Sequence, residues 1–196
     1  LKGVQRNGSV EMPGGMNLQY LQTNNYNKKT RGSRTTMSLS GHNIMVNVVT
    51  DNGGFSEQIG SKSLYDGPEL IRSQWEELDP VFMLHASEKG ITTELQGVEE
   101  ITGGKYHVIS FSLDGSINMI CYFDVNLETL SFSKSTIDGP DGPTTTTTTY
   151  KKYIEYGNGL SFPIEVVTLD GPKQMSTRLG SITINPEIDP SIFKLD

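Results

Sequence analysis

Residues 90–124, GITTELQGVEEITGGKYHVISFSLDGSINMICYFD, constrain the fold of this 196-residue chain more than any other stretch. Two turn signals, Thr102-Gly103-Gly104 and Asp114-Gly115, divide it into three segments of strand length. Glycine and Asp-Gly supply the positive-φ residues of tight turns, so the spacing predicts three consecutive antiparallel strands. A two-residue turn at Asp114-Gly115 sets Phe111 opposite Asn118, Ile109 opposite Ile120 and His107 opposite Tyr122. The other face then pairs Val108 with Cys121 and Tyr106 with Phe123. In that register both faces are largely apolar. An antiparallel ribbon that is greasy on two sides needs cover on two sides. Helices of the same chain, a lipid-like ligand or a protein partner would each provide the second cover.

The same signal recurs at Ile44 to Val49, where Ile44, Val46 and Val48 alternate with Met45 and Val49. Gly41-His42-Asn43 turns this segment against Arg34 to Ser40, and Pro13-Gly14-Gly15 separates Gly8 to Met12 from a strand at Met16 to Thr23. Phe55 to Ile59 returns after the turn Asp51-Asn52-Gly53-Gly54. At Asp66 the period changes. Asp66 suits a helix N-terminus, Pro68 and Glu69 suit the first turn, and Ile71, Trp75 and Leu78 recur at i, i+4 and i+7. Asp79-Pro80 ends this helix, and Val81 to His85 begins a second short one that stops at Gly90.

Downstream, Leu130 to Ile137, the β-branched run Thr144 to Thr149, Leu160 to Leu169 and Met175 to Ile184 read as strands. Pro163 marks an edge or a bulge. Ile188, Ile192 and Phe193 are expected to dock the tail against the sheet edge. The fold class that follows is mainly β, a curved antiparallel half-barrel of about eleven strands with short helices inserted on the concave side. Residues 1–196 are expected to form one domain.

Composition excludes several functions. A net charge of −7 argues against nucleic acid, and the one dense basic run, Lys28-Lys29-Thr30-Arg31 with Arg34 nearby, reads as a solvated loop. No segment approaches the roughly 20 consecutive apolar residues of a membrane span, so the domain reads as soluble. Cys121 is the single cysteine, a small core residue in an apolar strand, which rules out an internal disulfide. Residues 1–12 carry no signal-peptide pattern, so any targeting segment is expected outside this stretch.

His42, His85 and His107 lie in different elements, and neither an HExxH, a GxSxG nor a phosphate-binding glycine loop occurs. The turn Asp138-Gly139-Pro140-Asp141-Gly142-Pro143 bears two carboxylates but lacks the further oxygen ligands of a calcium loop. No catalytic residue, metal or cofactor is therefore expected.

Several stretches resemble one family of envelope proteins. These are the GIxxELxGxEEIxGxKYHV-like stretch at Gly90 to Val108, Tyr122-Phe123-Asp124, the GLSFP at Gly159 to Pro163 and the ending IxINPEIDPSIF. With the order of strands and the Trp-containing helical insertion, they resemble the LolA-like periplasmic lipoprotein-sorting carriers, over roughly residues 8–194. The resemblance implies an incomplete antiparallel barrel around short helices that shelters lipoprotein acyl chains, in the periplasm or at the outer membrane. The arginine of the carriers' release switch has no matching position here.

The function expected is non-catalytic binding of a lipid, a lipoprotein acyl chain or another hydrophobic ligand. Its lining is expected from Trp75, Phe82 and Met83 on the helices and Val46, Ile109, Phe111 and Ile120 on the sheet. The alternative is a protein-interaction module, the partner or tail domain of another envelope protein.

Overall fold

A computed structural model describes residues 1–115, 117–139, 142–157 and 159–195. The turn expected around Pro140 and Asp141 lies outside them. Thirteen strands occur among the described residues, in the order β6-β5-β4-β3-β2-β1-β13-β12-β11-β10-β9-β8-β7. They are β1 (Gly3–Glu11), β2 (Asn17–Asn25), β3 (Gly32–Leu39), β4 (His42–Thr50), β5 (Gly53–Gln58), β6 (Ser61–Leu64), β7 (Thr92–Ile101), β8 (Gly104–Leu113), β9 (Ile117–Asp124), β10 (Leu130–Gly139), β11 (Gly142–Glu155), β12 (Ser161–Asp170) and β13 (Lys173–Ile184). One α-helix, α1 (Gly67–Leu78), stands between β6 and β7. The sheet is antiparallel and open, with β6 and β7 at its ends, as the half-barrel class requires. Contacts group the chain into two units, residues 1–83 with 178–196 and residues 84–177.

In the first unit, α1 starts and stops where the sequence places it. Asp66 holds the extended N-cap position, although its side chain makes no capping bond, and Glu69 sits in the first turn. Trp75 and Leu78 are buried, while Ile71 remains exposed. The second short helix is not formed at Val81 to His85. These residues turn, and only Ser87–Lys89 makes a 3-10 turn, closed by Gly90 at φ 76.

Strand alternation assigns the two faces of this unit's sheet. Ser33 pairs with Val49, and Asn24 pairs with Ser33. Because Asn24 and Ser33 both bond Glu77 of α1, their face is the helix face. Val46 and Val48 point to the opposite face, where they cluster with Phe55 and Phe193. The tail lies across that face, with Ile188, Ile192 and Leu195 packed on the cluster and Arg34 Nη1 donating to the Ile192 carbonyl at 3.1 Å. It therefore docks on the flat of β3 to β5 and not on a sheet edge, because the apolar side chains of β4 and β5 supply a broader surface there than any edge does.

In the second unit the three strands of residues 90–124 form as expected, and a tight turn at Thr102-Gly103, both at positive φ, joins β7 to β8. The β8–β9 register differs by one residue. Leu113 pairs with Ile117, so Phe111 faces Met119, Ile109 faces Cys121 and Val108 faces Tyr122. The connection is one residue longer than a two-residue turn, and each slip of one moves every partner. One face then carries Ile109, Phe111, Leu113, Ile117, Met119 and Cys121. The other mixes Tyr106, Val108, Ile120 and Tyr122 with Ser110, Ser112 and Asn118. From Leu113 and Ile117 to Ile109 and Cys121 the first face is apolar without interruption, and the next pair on it is His107 with Phe123.

The threonine run is extended, as its β-branched side chains favour. Thr136 and Thr145 hydroxyls pair at 3.0 Å, and those of Thr148 and Thr168 at 3.4 Å. Pro163 lies in β12 between β11 and β13, opposite Tyr153, and so is not on an edge. The irregularity falls beside it, at Lys152 with φ 55.

Candidate functional site

The seat of α1 is built from polar side chains that the strands turn inward. Arg6 on β1 donates from Nη1 to Gln22 Oε1 and Asn24 Oδ1, both at 2.9 Å. Gln22 passes the chain on, from Nε2 to Glu77 Oε2 at 2.8 Å, and Tyr20 adds its hydroxyl to Gln22 Oε1 at 2.9 Å. Ser33 donates to the same Glu77 oxygen at 2.7 Å, and Asn24 Nδ2 reaches the Glu77 main-chain carbonyl at 3.0 Å. That carbonyl belongs to the last turn of the helix, where no further residue of the helix can satisfy it. At the other side Gln74 Nε2 bonds the Thr50 carbonyl at 2.8 Å.

Desolvation governs the titration of this seam. Burial pushes the Tyr20 phenol well above its ordinary value, against the pull of Arg6, and raises Tyr26 for the same reason. Glu76 is pushed up to about 7, first by burial and further by Glu77, with Arg72 opposing. The signal in the sequence was faint. Arg6, Asn24, Ser33 and Glu77 come from separate elements, and only the inward position of the first three on their strands, beneath the helix that carries Glu77, gives them a role.

Beside the seam stands an apolar corner. The Trp75 indole meets Phe82 edge-on, with ring centroids 4.7 Å apart at 89°, and Trp75 Nε1 donates to the Phe82 carbonyl at 2.8 Å. One side chain thus both fixes the turn after α1 and packs against its ring. Phe82 and Met83 are half-buried and Val81 is exposed, so the corner presents apolar surface that is only partly covered.

The seven residues expected to line one cavity fall in different places. Trp75 and Phe82 touch, with Met83 next to them in the chain. Val46 is on the face of the first unit's sheet away from α1, and Phe193 fills the space over it. In the second unit Ile109 and Phe111 share a face, Phe111 buried and Ile109 half-buried. Ile120 pairs with Ser110 and lies on the opposite face. There Tyr122 stacks on Phe132 at 4.2 Å and 13°, with Tyr106 edge-on to both.

Among the described residues no three His, Cys, Asp or Glu side chains gather where they could hold a metal ion, and no helix is long and apolar enough to cross a membrane.

Neither protein-family models nor curated proteins give a match to this sequence. Solved structures do. A DUF1329 family protein from Desulfovibrio piger superposes with a TM-score of 0.70 at 7% identity, over 99% of this chain and 90% of that one. A domain from Vibrio parahaemolyticus described as outer membrane lipoprotein-sorting gives 0.69 at 8%, over 98% and 89%. The LolA superfamily protein NE2245 from Nitrosomonas europaea gives 0.63 at 11%, over 98% and 89%. At these identities the likeness is one of fold, and the fold is LolA-like.

Proposed function

We propose that this chain, a LolA-like fold, is a single-domain, non-catalytic protein of the cell envelope that binds a lipid, a lipoprotein acyl chain or a similar hydrophobic ligand. The observation that carries the reading is the incompletely covered apolar corner at Trp75, Phe82 and Met83, held rigid by the Trp75 to Phe82 bond. Phe82 and Met83 meet the ligand and Trp75 backs them. Methionine adapts its shape to varied chains. Each methylene that leaves water contributes about 0.8 kcal/mol, so an acyl chain of modest length binds usefully. The sorting name of the Vibrio structure and the superfamily of the Nitrosomonas one support both the ligand class and a periplasmic or outer-membrane location.

Trp75 is the sole tryptophan, which makes it the reporter. Titration with cis-parinaric acid is expected to quench Trp75 emission saturably by energy transfer, and Met83→Asp is expected to weaken binding at least tenfold. Native mass spectra of protein purified without detergent should carry a lipid adduct. A spectrum without adduct together with a linear, non-saturating titration would overturn the reading.

A second reading rests on β7, which ends the strand order and exposes Leu95 and Val98. A terminal strand of a sheet with exposed apolar side chains suits pairing with another protein. A ligand-free protein whose oligomeric state depends on concentration, and which Leu95→Lys makes monomeric, would favour it.

A further inference from the structure

We propose that the first unit carries a binding site for a phosphate-type anion, where the turn before β3 meets the docked tail. The basic run read from sequence as a solvated loop is not isolated. The tail brings Lys194 to the same cavity as Lys29 and Arg31, with Phe193 and Leu195 as an apolar wall. The cavity is open and holds about 250 Å³, below the roughly 300–1,000 Å³ of sites for drug-sized ligands. It suits a small anion or a single headgroup.

Its geometry is fixed from below. Phe193 lies directly over Gly32, the residue after Arg31, so close that a β-carbon there would stand 2.5 Å from the ring. Asp189 holds the 3-10 turn Pro190–Phe193 by accepting from the Ser191 amide at 2.9 Å and hydroxyl at 2.7 Å. Lys62 Nζ grips the Leu195 carbonyl at 2.6 Å. Lys194 is therefore delivered to the cavity by a segment anchored on both sides of it.

Electrostatics favours an anion. In a chain of net charge −7, three cationic side chains line one small cavity against one described carboxylate, Asp51. Asp51 does not use up Arg31. Its Oδ2 stands 3.7 Å from Nε, an ion pair too long for a hydrogen bond, and the buried Nε has no hydrogen-bond partner. Two exposed lysines beside a guanidinium match the oxygen-rich, multiply charged face of a phosphate. The phosphate can be free or the headgroup of an anionic lipid, and the chemistry of the site is the same for both.

Calorimetric titration with inorganic phosphate at low ionic strength tests the site. Saturable binding is expected, weakened at least tenfold in Lys29→Gln/Lys194→Gln, whose exposed positions leave the fold intact. Asp51→Asn removes the competing carboxylate and is expected to tighten binding severalfold. No saturable heat, or equal affinity in the double lysine variant, would overturn the proposal. Sedimentation with phosphatidylglycerol-containing vesicles, against phosphatidylcholine alone, separates the sources. Association that phosphate displaces and the double variant loses assigns a lipid headgroup. Phosphate binding without vesicle association assigns a free anion.

Discussion

Gly32 shows how much of this molecule is decided by single positions that carry no chemistry. Its missing side chain is the space into which Phe193 fits, and Phe193 in turn closes the cluster of Val46, Val48 and Phe55. In Gly32→Ala the new methyl meets the ring at its Cγ, not at the far end of a flexible chain, so the tail itself must shift. Such overpacking costs about 1–3 kcal/mol, whereas Phe193→Ala removes a buried ring at about 3–5 kcal/mol. Because both act through the same contact, the double variant should unfold at nearly the urea midpoint of Phe193→Ala alone. Additive losses in the urea midpoints would mean that Gly32 serves something other than the tail. Nothing in the sequence exposed this pairing. The tail's apolar residues were legible as an anchor, but the glycine that receives them looks like any turn glycine.

At the scale of elements, the segments with a strong period were readable and those shaped by their neighbours were not. The helix was legible because Trp75 and Leu78 recur on one face, a turn apart, and the strand pairs because Gly-rich turns separate apolar runs. The β8–β9 register was not, since a connection after Asp114-Gly115 reads equally as two or three residues, and the extra one moves Ile120 to the face away from Ile109. Strand β6 escaped as well: Ser61–Leu64 is exposed throughout and is extended only because it pairs with β5. The polar seat of α1 was hidden for a related reason, its members being scattered over β1, β2, β3 and the helix.

The helix itself responds to pH, through Glu76. Glu76 is half-buried, and burial raises its carboxyl to about 7 from the ordinary 4.5. A carboxyl whose folded pKa is raised favours the folded state while it is protonated, so its contribution is full below about 4.5 and is lost as pH rises through about 7. Stability should fall between pH 5 and 8 and level off above. Glu76→Gln should flatten that slope, as read from urea midpoints across the range. Asp189 works with the opposite sign. Its bonds from Ser191 lower its pKa, so its contribution is present at neutral pH and fades only in acid below the ordinary 3.8, outside the window assigned to Glu76.

For the whole molecule the sequence yielded the class, an open antiparallel sheet with one helical insertion, because alternation and turn spacing are properties of the entire chain. It did not yield the division of contacts into two units, which strand β13 spans, starting in one and ending in the other. In the strand order β13 stands between β1 and β12. Each unit carries one probe of its own. Trp75, the sole tryptophan, is buried in the first, and Cys121, the sole cysteine, is fully buried in the second. If β13 ties both units into one cooperative fold, Trp75 fluorescence and Cys121 labelling by a thiol reagent will report the same urea midpoint and the same slope, the signature of a two-state transition. Cutting the ladder in the middle should separate them. Gly180 carries no side chain and lies near the Asn7 carbonyl of β1, and Gly8 faces the Arg178 carbonyl so closely that a β-carbon could not be accommodated. Gly8→Val should therefore force β1 from β13 and split the single transition in two, with the labelling of Cys121 less affected than the emission of Trp75. Unchanged, coincident curves in that variant would show that cooperativity is carried by contacts other than this ladder.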